Sequence, residues 1–512
     1  MITYTTIRKS LRGIAAALFT SVAITGVALT SCSDWLDVSP ETEKKKSEMF
    51  ANATGFRTVL TGAYIRMKST DLYGRELVCG VTEDMALHWN TAANSQGYYL
   101  NRFDYRAQTV ETTMAAIYNN LYKVVADVNG LLGSIDNGVL STTDYNLIKG
   151  EALALRAFCH FDVLRLFGPM PAEAGAATAT DGAATVDGAT AADGAAEAAT
   201  DLSAASEKLL PYVTQVVNRP NEFLTYSDFV DHLLSDLAEA ETLMKASDPI
   251  VSTSISDLNT ASKLTDNFWG YRQTRMNYYA VCALKARVLL WIGDKEQALN
   301  YARLVVDARD ADGNPIFRLG TLNDCTSGDK TLSPEHIFQL KVDDLSATLG
   351  AATAFQKTRA NLESQLYSAG TTDIRFVNMW DNVFDSYYYE YHNYFVKYQQ
   401  TASMPALSQN VIPLIRLYEM YLIMLECCPL SEADGLYKTM CAARNTTAEK
   451  ITSADKLKTL LAKEYNREFY GEGQAFYAYK RLAALRIYFS TTKGGPEVYV
   501  VPLPMQEAVY KN

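Results

Sequence analysis

The most informative stretch for the fold of this 512-residue chain is GEALALRAFCHFDVLRLFGPMP, residues 150–171. Apolar side chains dominate it, and the pattern predicts an apolar helix over 146–167. His160 lies within that run, where a histidine is far more often a satisfied helical residue than a catalyst.

Helical patterning continues on both sides of this stretch. Segment 276–307 predicts two helices joined at Gly293-Asp294, and small residues stand where the helices would cross, at Ala286, Ala298 and Ala302. This is the pattern of a tetratricopeptide-type hairpin. Further helices are predicted over 115–135, 225–246 and 454–469, and from an apolar face of Leu414, Leu417, Tyr421, Met424 and Leu425. Strand-like runs are few and short, such as 498–501, so the sequence predicts an all-α fold.

Length and charge limit the classes of function. The chain is long enough for one large domain or for two or three ordinary ones. Its formal net charge is −11. A nucleic-acid-binding protein usually shows a basic face, so the acidic balance argues against that class.

The N-terminus has the layout of a bacterial secretory signal. Arg8, Lys9 and Arg12 precede an uncharged, largely apolar run over 13–31. An uncleaved anchor helix is the alternative, but the run ends in Leu29-Thr30-Ser31-Cys32, which resembles a lipobox. We therefore predict that 1–31 is a signal peptide and that Cys32 carries the lipid. Acyl chains contribute about 0.8 kcal/mol per buried CH₂ to membrane anchoring.

Removal of 1–31 would change the net charge from −11 to −14, because that segment contains three basic and no acidic residues. No later segment is apolar and long enough to span a bilayer. Anchoring is therefore predicted to come from Cys32 alone.

Segment 172–200 differs from the rest of the chain. Fourteen of its 29 residues are alanine, and Asp-Gly recurs every six residues, at 181–182, 187–188 and 193–194. Calcium-binding repeats also place acidic residues at regular intervals. Three short copies without a packing residue instead favour a low-complexity, flexible surface insertion.

The remaining cysteines and the histidines form no recognisable site. Seven cysteines follow Cys32 without a CxxC pair, so neither a disulfide scaffold nor a zinc site is expected. They are Cys79, Cys159, Cys282, Cys325, Cys427, Cys428 and Cys441. The five histidines include no HExxH motif, and the chain has no GxSxG, P-loop or GxGxxG motif. We expect neither catalysis nor a cofactor nor a metal.

Several segments, in order along the chain, resemble the SusD/RagB outer-membrane lipoproteins of Bacteroidetes. The most specific is 150–171, whose residues at family positions are Glu151, Leu155, Arg156, Ala157, Phe161, Leu164, Phe167, Gly168 and Pro171. The others are CSDWLDVSPE at 32–41, 55–64, 119–135, 225–243, 276–307, 413–427, 467–482 and VPLP at 501–504. Gln474 and Ala478 depart from the family, which usually has Arg and Asp at these positions.

The resemblance implies a SusD-like domain over 32–512, built on four tetratricopeptide-like hairpins with long ligand-binding loops. Family members sit over a SusC-type TonB-dependent transporter. They capture oligosaccharides, or peptides in some branches, at the cell surface. The implied partners are therefore a transporter, a glycan and the outer membrane.

The resemblance also points to a ligand site in segment 83–96, EDMALHWNTAANSQ. Starch-binding members place an aromatic platform and an amide shortly after an acidic dipeptide. Trp89 matches the platform, Asn90 or Asn94 the amide, and Arg75 a basic ligand residue. Alternatively, Trp89 is a packing residue at the base of a loop.

Other aromatic residues form further candidates. Phe355 and Tyr367 lie in the region 345–370, where starch binders have more platforms, but that region lacks a Trp. The other clusters are 267–271, NFWGY, and 387–398, YYYEYHNYFVKY. The second could equally be a strand pair with one exposed face.

Three functions therefore remain open from sequence. The first is a surface glycan-binding lipoprotein, and the second is the same fold capturing peptides or another nutrient. The third is a tetratricopeptide interaction scaffold with no small ligand.

Overall fold

The structure is a computed structural model that describes residues 41–171, 207–350, 355–386, 389–402 and 404–511. The predicted signal peptide, Cys32 and the insertion 172–200 lie outside the described residues. The chain divides into two units, Met1–Glu48 and Met49–Asn512. The described part of the first unit is helical, within α1 (Glu41–Met49).

The second unit consists mainly of helices. Its long helices are α2 (Ala53–Met67), α5 (Gln108–Leu132), α6 (Thr142–Phe167), α7 (Tyr226–Ser247), α9 (Tyr278–Ile292), α10 (Lys295–Val306), α15 (Leu417–Cys427), α16 (Leu430–Ala443) and α17 (Ala454–Glu468). The short ones are α3 (Val81–Met85), α4 (Gln96–Leu100), α8 (Ile255–Leu258), α11 (Leu322–Thr326), α12 (Leu345–Leu349), α13 (Arg359–Gln365), α14 (Ile374–Val377), α18 (Ala475–Arg481), α19 (Pro496–Tyr499) and α20 (Met505–Ala508). Single 3₁₀ turns cover Pro249–Val251, Ala261–Lys263, Asn267–Trp269, Arg272–Thr274 and Ser333–Glu335.

Four short strands form two antiparallel pairs in the described part of the chain. They are β1 (His336–Lys341), β2 (Trp380–Asp385), β3 (Glu390–Phe395) and β4 (Val411–Arg416), with β1 beside β4 and β2 beside β3. The predicted all-α class with few short strands is confirmed. No helix among the described residues combines the length and apolarity needed to cross a membrane.

Helix α6 confirms the apolar helix predicted over 146–167 and is buried along most of its length. It begins where the Ser141 side chain accepts a hydrogen bond from the backbone N–H of Asp144, which satisfies a free N-terminal donor. Every residue from Gly150 to Phe167 is buried. The helix packs against α5 on one side and α7 on the other, so it has little polar surface to present.

The predicted helical hairpin at 276–307 is also present. Gly293 ends α9 in a left-handed conformation (φ 90°). The Asp294 carboxylate then caps α10 by accepting from the backbone N–H of Gln297. Ala298 and Ala302 are fully buried at the helix contact, where their small side chains allow the two backbones to approach closely.

Two local predictions were wrong. Leu414 was assigned to a helical face, but it lies in β4, because 411–416 pairs with β1. The helix begins only at Leu417. The strand-like run at 498–501 instead starts within the short helix α19, whose first residue is Pro496. Proline has its φ fixed near the helical value and lacks an N–H, so it suits the first turn of a helix.

A buried network of ion pairs joins the C-terminal helices to the sheets. The Glu468 carboxylate accepts from Arg416 and Arg444 at 2.7 Å each, and from Arg375 at 3.2 Å. All four side chains are at most 1% exposed. Burial alone would raise the pKa of Glu468, but the guanidiniums of Arg444 and Arg416 hold it well below its usual value.

We expect Glu468→Gln to lower the free energy of unfolding by about 3–5 kcal/mol, because three buried guanidiniums would lose a shared counter-charge. Urea denaturation followed by circular dichroism measures this. Glu432→Gln is the matched control, since its pair with Arg303 is exposed and should contribute no more than about 0.5 kcal/mol. Equal effects of the two substitutions would contradict the prediction.

Candidate ligand-binding site

The predicted ligand loop meets two other segments that the sequence marked as aromatic candidates. The backbone N–H of Asn90 donates to the Gln356 carbonyl at 2.9 Å. The Lys357 ammonium donates to the Leu87 carbonyl at 2.6 Å. On its other side, segment 355–357 pairs with β3 through a bridge from Gln356 to Tyr394. The loop after α3, segment 355–357 and the hairpin β2–β3 therefore lie together.

Glu83 holds the start of this loop in place. Its carboxylate accepts from the backbone N–H groups of Gly471 at 2.7 Å and Gly473 at 2.8 Å, and it contacts His88 Nδ1 at 2.6 Å. Both glycines have positive φ, 71° and 72°. A Cβ on Gly473 would lie 2.1 Å from the Leu77 carbonyl oxygen. The close approach therefore requires glycine.

Trp89 lies beneath the site and has almost no free surface. Its side chain is 4% exposed, and its indole N–H donates to the Cys79 carbonyl at 2.7 Å. The rings of Phe355, Phe395 and Tyr470 lie 5.1, 5.5 and 5.3 Å away. This placement fits the packing alternative, because in this conformation the ring offers no open face to a sugar.

The other three predicted ligand residues have more surface. Asn90 and Asn94 are exposed on the loop, and Asn94 adopts a left-handed conformation (φ 61°) that asparagine tolerates. Arg75 is half-buried, and its Nε atom is buried without a hydrogen-bond partner among the described residues. The roles of Trp89, Asn90, Asn94 and Arg75 in ligand binding stay predictions.

A group of carboxyls lies beside Arg75. Burial, together with the nearby carboxylates of Glu76 and Glu83, raises the pKa of Asp84 to about 8, although Arg75 opposes the shift. Burial likewise raises the pKa of Glu76. Asp84 thus carries a proton near neutral pH and can act as a hydrogen-bond donor.

The remaining aromatic candidates are mostly buried. Phe355 and Tyr367 are 8% and 5% exposed, and the Tyr367 ring packs 5.0 Å from Phe376. In the 267–271 cluster, the Trp269 indole donates to Asp144 at 3.1 Å and the side chain is 6% exposed. These rings serve packing in this conformation.

The hairpin β2–β3 confirms the strand-pair alternative for part of the 387–398 cluster. Three cross-strand pairs share one face because side chains alternate along a strand. They are Trp380 with Phe395, Asn382 with Asn393, and Phe384 with Tyr391. The first pair is buried in the aromatic cluster around Trp89, and the last pair is exposed. One end of this face is therefore buried in the core, and the other end is exposed at the surface.

We call the outer part of this face the hairpin platform, formed by Phe384, Tyr389, Tyr391 and Asn382. Phe384 is 45% exposed, Tyr389 85% and Tyr391 68%. The Phe384 ring lies 5.1 Å from Tyr391 and 5.7 Å from Tyr389. Exposed aromatics that touch each other form an apolar surface of the kind that marks interaction sites.

Asn393 and Asn382 form the polar pair of this face. Asn393 is 4% exposed, and among the described residues neither its amide oxygen nor its amide nitrogen has a hydrogen-bond partner. Buried polar groups are rarely left unpaired, but this amide is covered in the present conformation; the amide of Asn382, opposite it on the same face, is exposed. The sequence marked the aromatic run but could not single out Asn393, because its position depends on the register of the hairpin.

A metal is not indicated at this site by the geometry. In the described ranges, no group of three or more His, Cys, Asp or Glu side chains is arranged to hold a metal ion. The platform itself consists of rings and one amide, and neither is a preferred oxygen-rich or thiolate ligand set.

Known proteins are similar to the chain in sequence over part of its length and in fold over most of it. Residues 34–230 match the SusD-like_3 family model, described as starch-binding and associating with the outer membrane. This match over part of the chain agrees with the resemblance predicted from the sequence. No curated protein matches it significantly.

Solved structures share the fold over nearly the whole chain. A SusD superfamily protein from Bacteroides thetaiotaomicron VPI-5482 superposes with a TM-score of 0.65 at 16% identity, covering 90% of this chain and 98% of that one. One from Bacteroides vulgatus ATCC 8482 gives 0.63 at 19% identity, with 90% and 97% covered. A laminarin-binding SusD-like protein gives 0.57 at 15%, with 90% and 98% covered. At these identities, the similarity establishes the fold alone.

The raised pKa of Asp84 gives a stability prediction. Between about pH 4 and pH 8 the folded state holds a proton on Asp84 that the unfolded state has released, so this group lowers stability as pH rises. We expect Asp84→Asn to increase the free energy of unfolding by at least about 1 kcal/mol at pH 8. The gain should shrink towards pH 4.

Urea denaturation at pH 4.5, 6 and 8 measures this difference. Asp231→Asn, at an exposed position of α7, is the control and should change stability by less than about 0.5 kcal/mol. A gain from Asp84→Asn that is independent of pH would show that charge burial is not its cause.

Proposed function

We propose that this protein binds oligosaccharides at the outer surface of the outer membrane and delivers them to a SusC-type TonB-dependent transporter. In this proposal, 1–31 is removed as a signal peptide and Cys32 carries the lipid anchor. The protein acts by binding and does not catalyse a reaction. The family description, starch-binding and associating with the outer membrane, supports both the ligand class and the location.

The hairpin platform is the observation that carries the proposal. A sugar ring presents C–H groups on its faces and hydroxyls around its rim, so it requires aromatic faces beside groups that donate and accept hydrogen bonds. Phe384, Tyr389 and Tyr391 provide the exposed rings. The exposed amide of Asn382, on the same face, provides one donor group and one acceptor.

The loop residues predicted from sequence have a secondary place in this proposal. Asn90 and Asn94 are exposed on the adjoining loop, where their amides can pair with hydroxyls of a longer chain. The Trp89 ring packs against Trp380 and Phe395, the inner residues of the hairpin. Arg75 and the protonated Asp84 offer further polar groups at the far end of the loop.

We expect Phe384→Ala to weaken glycan binding about tenfold, since truncating a central aromatic contact typically costs this much. Isothermal titration and affinity gel electrophoresis against a polysaccharide panel measure the affinity. Val383→Ala is the matched control: Val383 is similarly exposed, at 49%, but lies on the opposite face of the same strand.

A peptide panel run in parallel tests capture of the other nutrient class. Equal glycan affinity in Phe384→Ala and wild type would remove the platform from the site. Binding of peptides alone would replace the glycan assignment by peptide capture. A protein that binds neither class would favour an interaction scaffold.

We expect Cys32→Ala to abolish acylation and outer-membrane anchoring, because no thiol remains to form the thioether. Globomycin-sensitive processing, palmitate labelling and membrane fractionation measure this. Wild type should co-purify with a TonB-dependent transporter from outer membranes, and the variant should not. Cys79→Ala is the control, since that thiol is buried in the fold. Continued acylation of Cys32→Ala would contradict the lipobox assignment.

A further inference from the structure

We infer that the hairpin platform selects neutral glycans over polyanionic ones such as uronates and sulfated polysaccharides. This inference rests on the proposed glycan binding and adds the chemical class of the ligand. It follows from the distribution of charge on the two faces of hairpin β2–β3, on which the ligand would lie.

The platform face carries no ionisable group near neutral pH. Its residues are Trp380, Asn382 and Phe384 on β2 and Tyr391, Asn393 and Phe395 on β3. Tyr389, at the turn, adds a further aromatic ring and no Asp, Glu, His, Lys or Arg. A ligand on this face therefore meets rings and amides only.

The opposite face carries negative charge. Asp381 is exposed there, and the Glu390 side chain is 63% exposed. Glu390 lies 3.3 Å from His392 Nε2. The whole span 380–395 contains neither Lys nor Arg. A two-stranded hairpin is thin, so the field of these acids reaches the platform face.

Two lysines that flank β3 in the fold or in the sequence form contacts away from the platform. Lys357, beside β3, is buried and donates to the Leu87 carbonyl at 2.6 Å. Burial lowers its pKa to about 8. Lys397, just after β3, is also buried and pairs with Glu472. Neither ammonium reaches the solvent above the platform.

The uncharged platform face and the acids on the opposite face together favour neutral sugars over anionic ones. Recognition of a carboxylate or sulfate normally uses Arg or Lys in a charge-assisted hydrogen bond. On the hairpin platform itself, away from Arg75, an anionic sugar would lose hydration without gaining such a partner, and the acids behind the strands would repel it. The hydroxyls of a neutral sugar can instead pair with the exposed amide of Asn382 on the same face while the ring stacks. The affinity for a neutral glycan should also depend little on salt concentration, because no ion pair forms between the glycan and the protein.

The test uses the full-length protein solubilised in detergent, with pullulan, laminarin and galactan as neutral probes. Polygalacturonate, alginate and chondroitin sulfate are the anionic probes. We expect at least one neutral probe to bind, with affinity about tenfold above that of every anionic probe. The neutral affinity should be lost in Phe384→Ala and should change little between about 20 and 300 mM salt.

Two variants place the same charge on opposite faces of β2. Asn382→Lys adds a cation to the platform face, and Val383→Lys adds it to the other. We expect Asn382→Lys to raise affinity for an anionic probe about tenfold, and Val383→Lys to raise it by less than about threefold. Equal gains from the two variants would overturn the inference, since general charge rather than the platform would then control binding.

The outcomes separate the two proposals. An anionic probe that binds as tightly as any neutral one, and is lost in Phe384→Ala, overturns charge selection and leaves glycan binding intact. Failure of every probe of both classes overturns the proposed function, and charge selection with it. Neutral binding that survives Phe384→Ala places the site elsewhere and overturns the inference from the hairpin.

Discussion

The position of the candidate site depends on the buried carboxylate of Glu468. It ends helix α17 and is shared by Arg416 at the end of β4, Arg444 after α16, and Arg375 in α14. Glu335 pairs with Arg416 and Arg444 from the turn before β1. Elements that are far apart in sequence therefore meet at one group of charges.

Breaking such a network leaves a charge stranded in a medium of low dielectric constant, and this cost strongly disfavours other arrangements of the same helices. The residues that follow Glu468 form a turn at 470–473, and this turn contacts Glu83 at the start of the loop that contains Trp89. Glu472 pairs with Arg416 at 2.8 Å, and this ion pair connects the turn at 470–473 to the buried network. The backbone N–H groups of Gly471 and Gly473 on that turn hold Glu83. The ion network thus positions the start of the loop that contains Trp89.

How much the sequence could predict depends on how local each feature is. Helix 146–167 and the hairpin at 276–307 were predicted because their apolar periodicity and the Gly293-Asp294 turn are contained in short segments. Leu414 was misassigned because β4 is defined by pairing with β1, more than 70 residues earlier. The orphan amide of Asn393 follows from strand register and burial, which no local pattern encodes. The sequence identified the aromatic segments that meet at the site. It could not show which of their rings are buried and which are exposed.

The division between covered and exposed rings explains why the hairpin can serve as a platform. An isolated two-stranded hairpin is at best marginally stable in water. Here the inner pair, Trp380 and Phe395, packs with Trp89 and Tyr470 and so fixes the register. The outer pair, Phe384 and Tyr391, is thereby held in place before any ligand arrives. A binding surface ordered in advance loses less conformational entropy on association, so the buried ring of Trp89 can favour the proposed binding through packing alone.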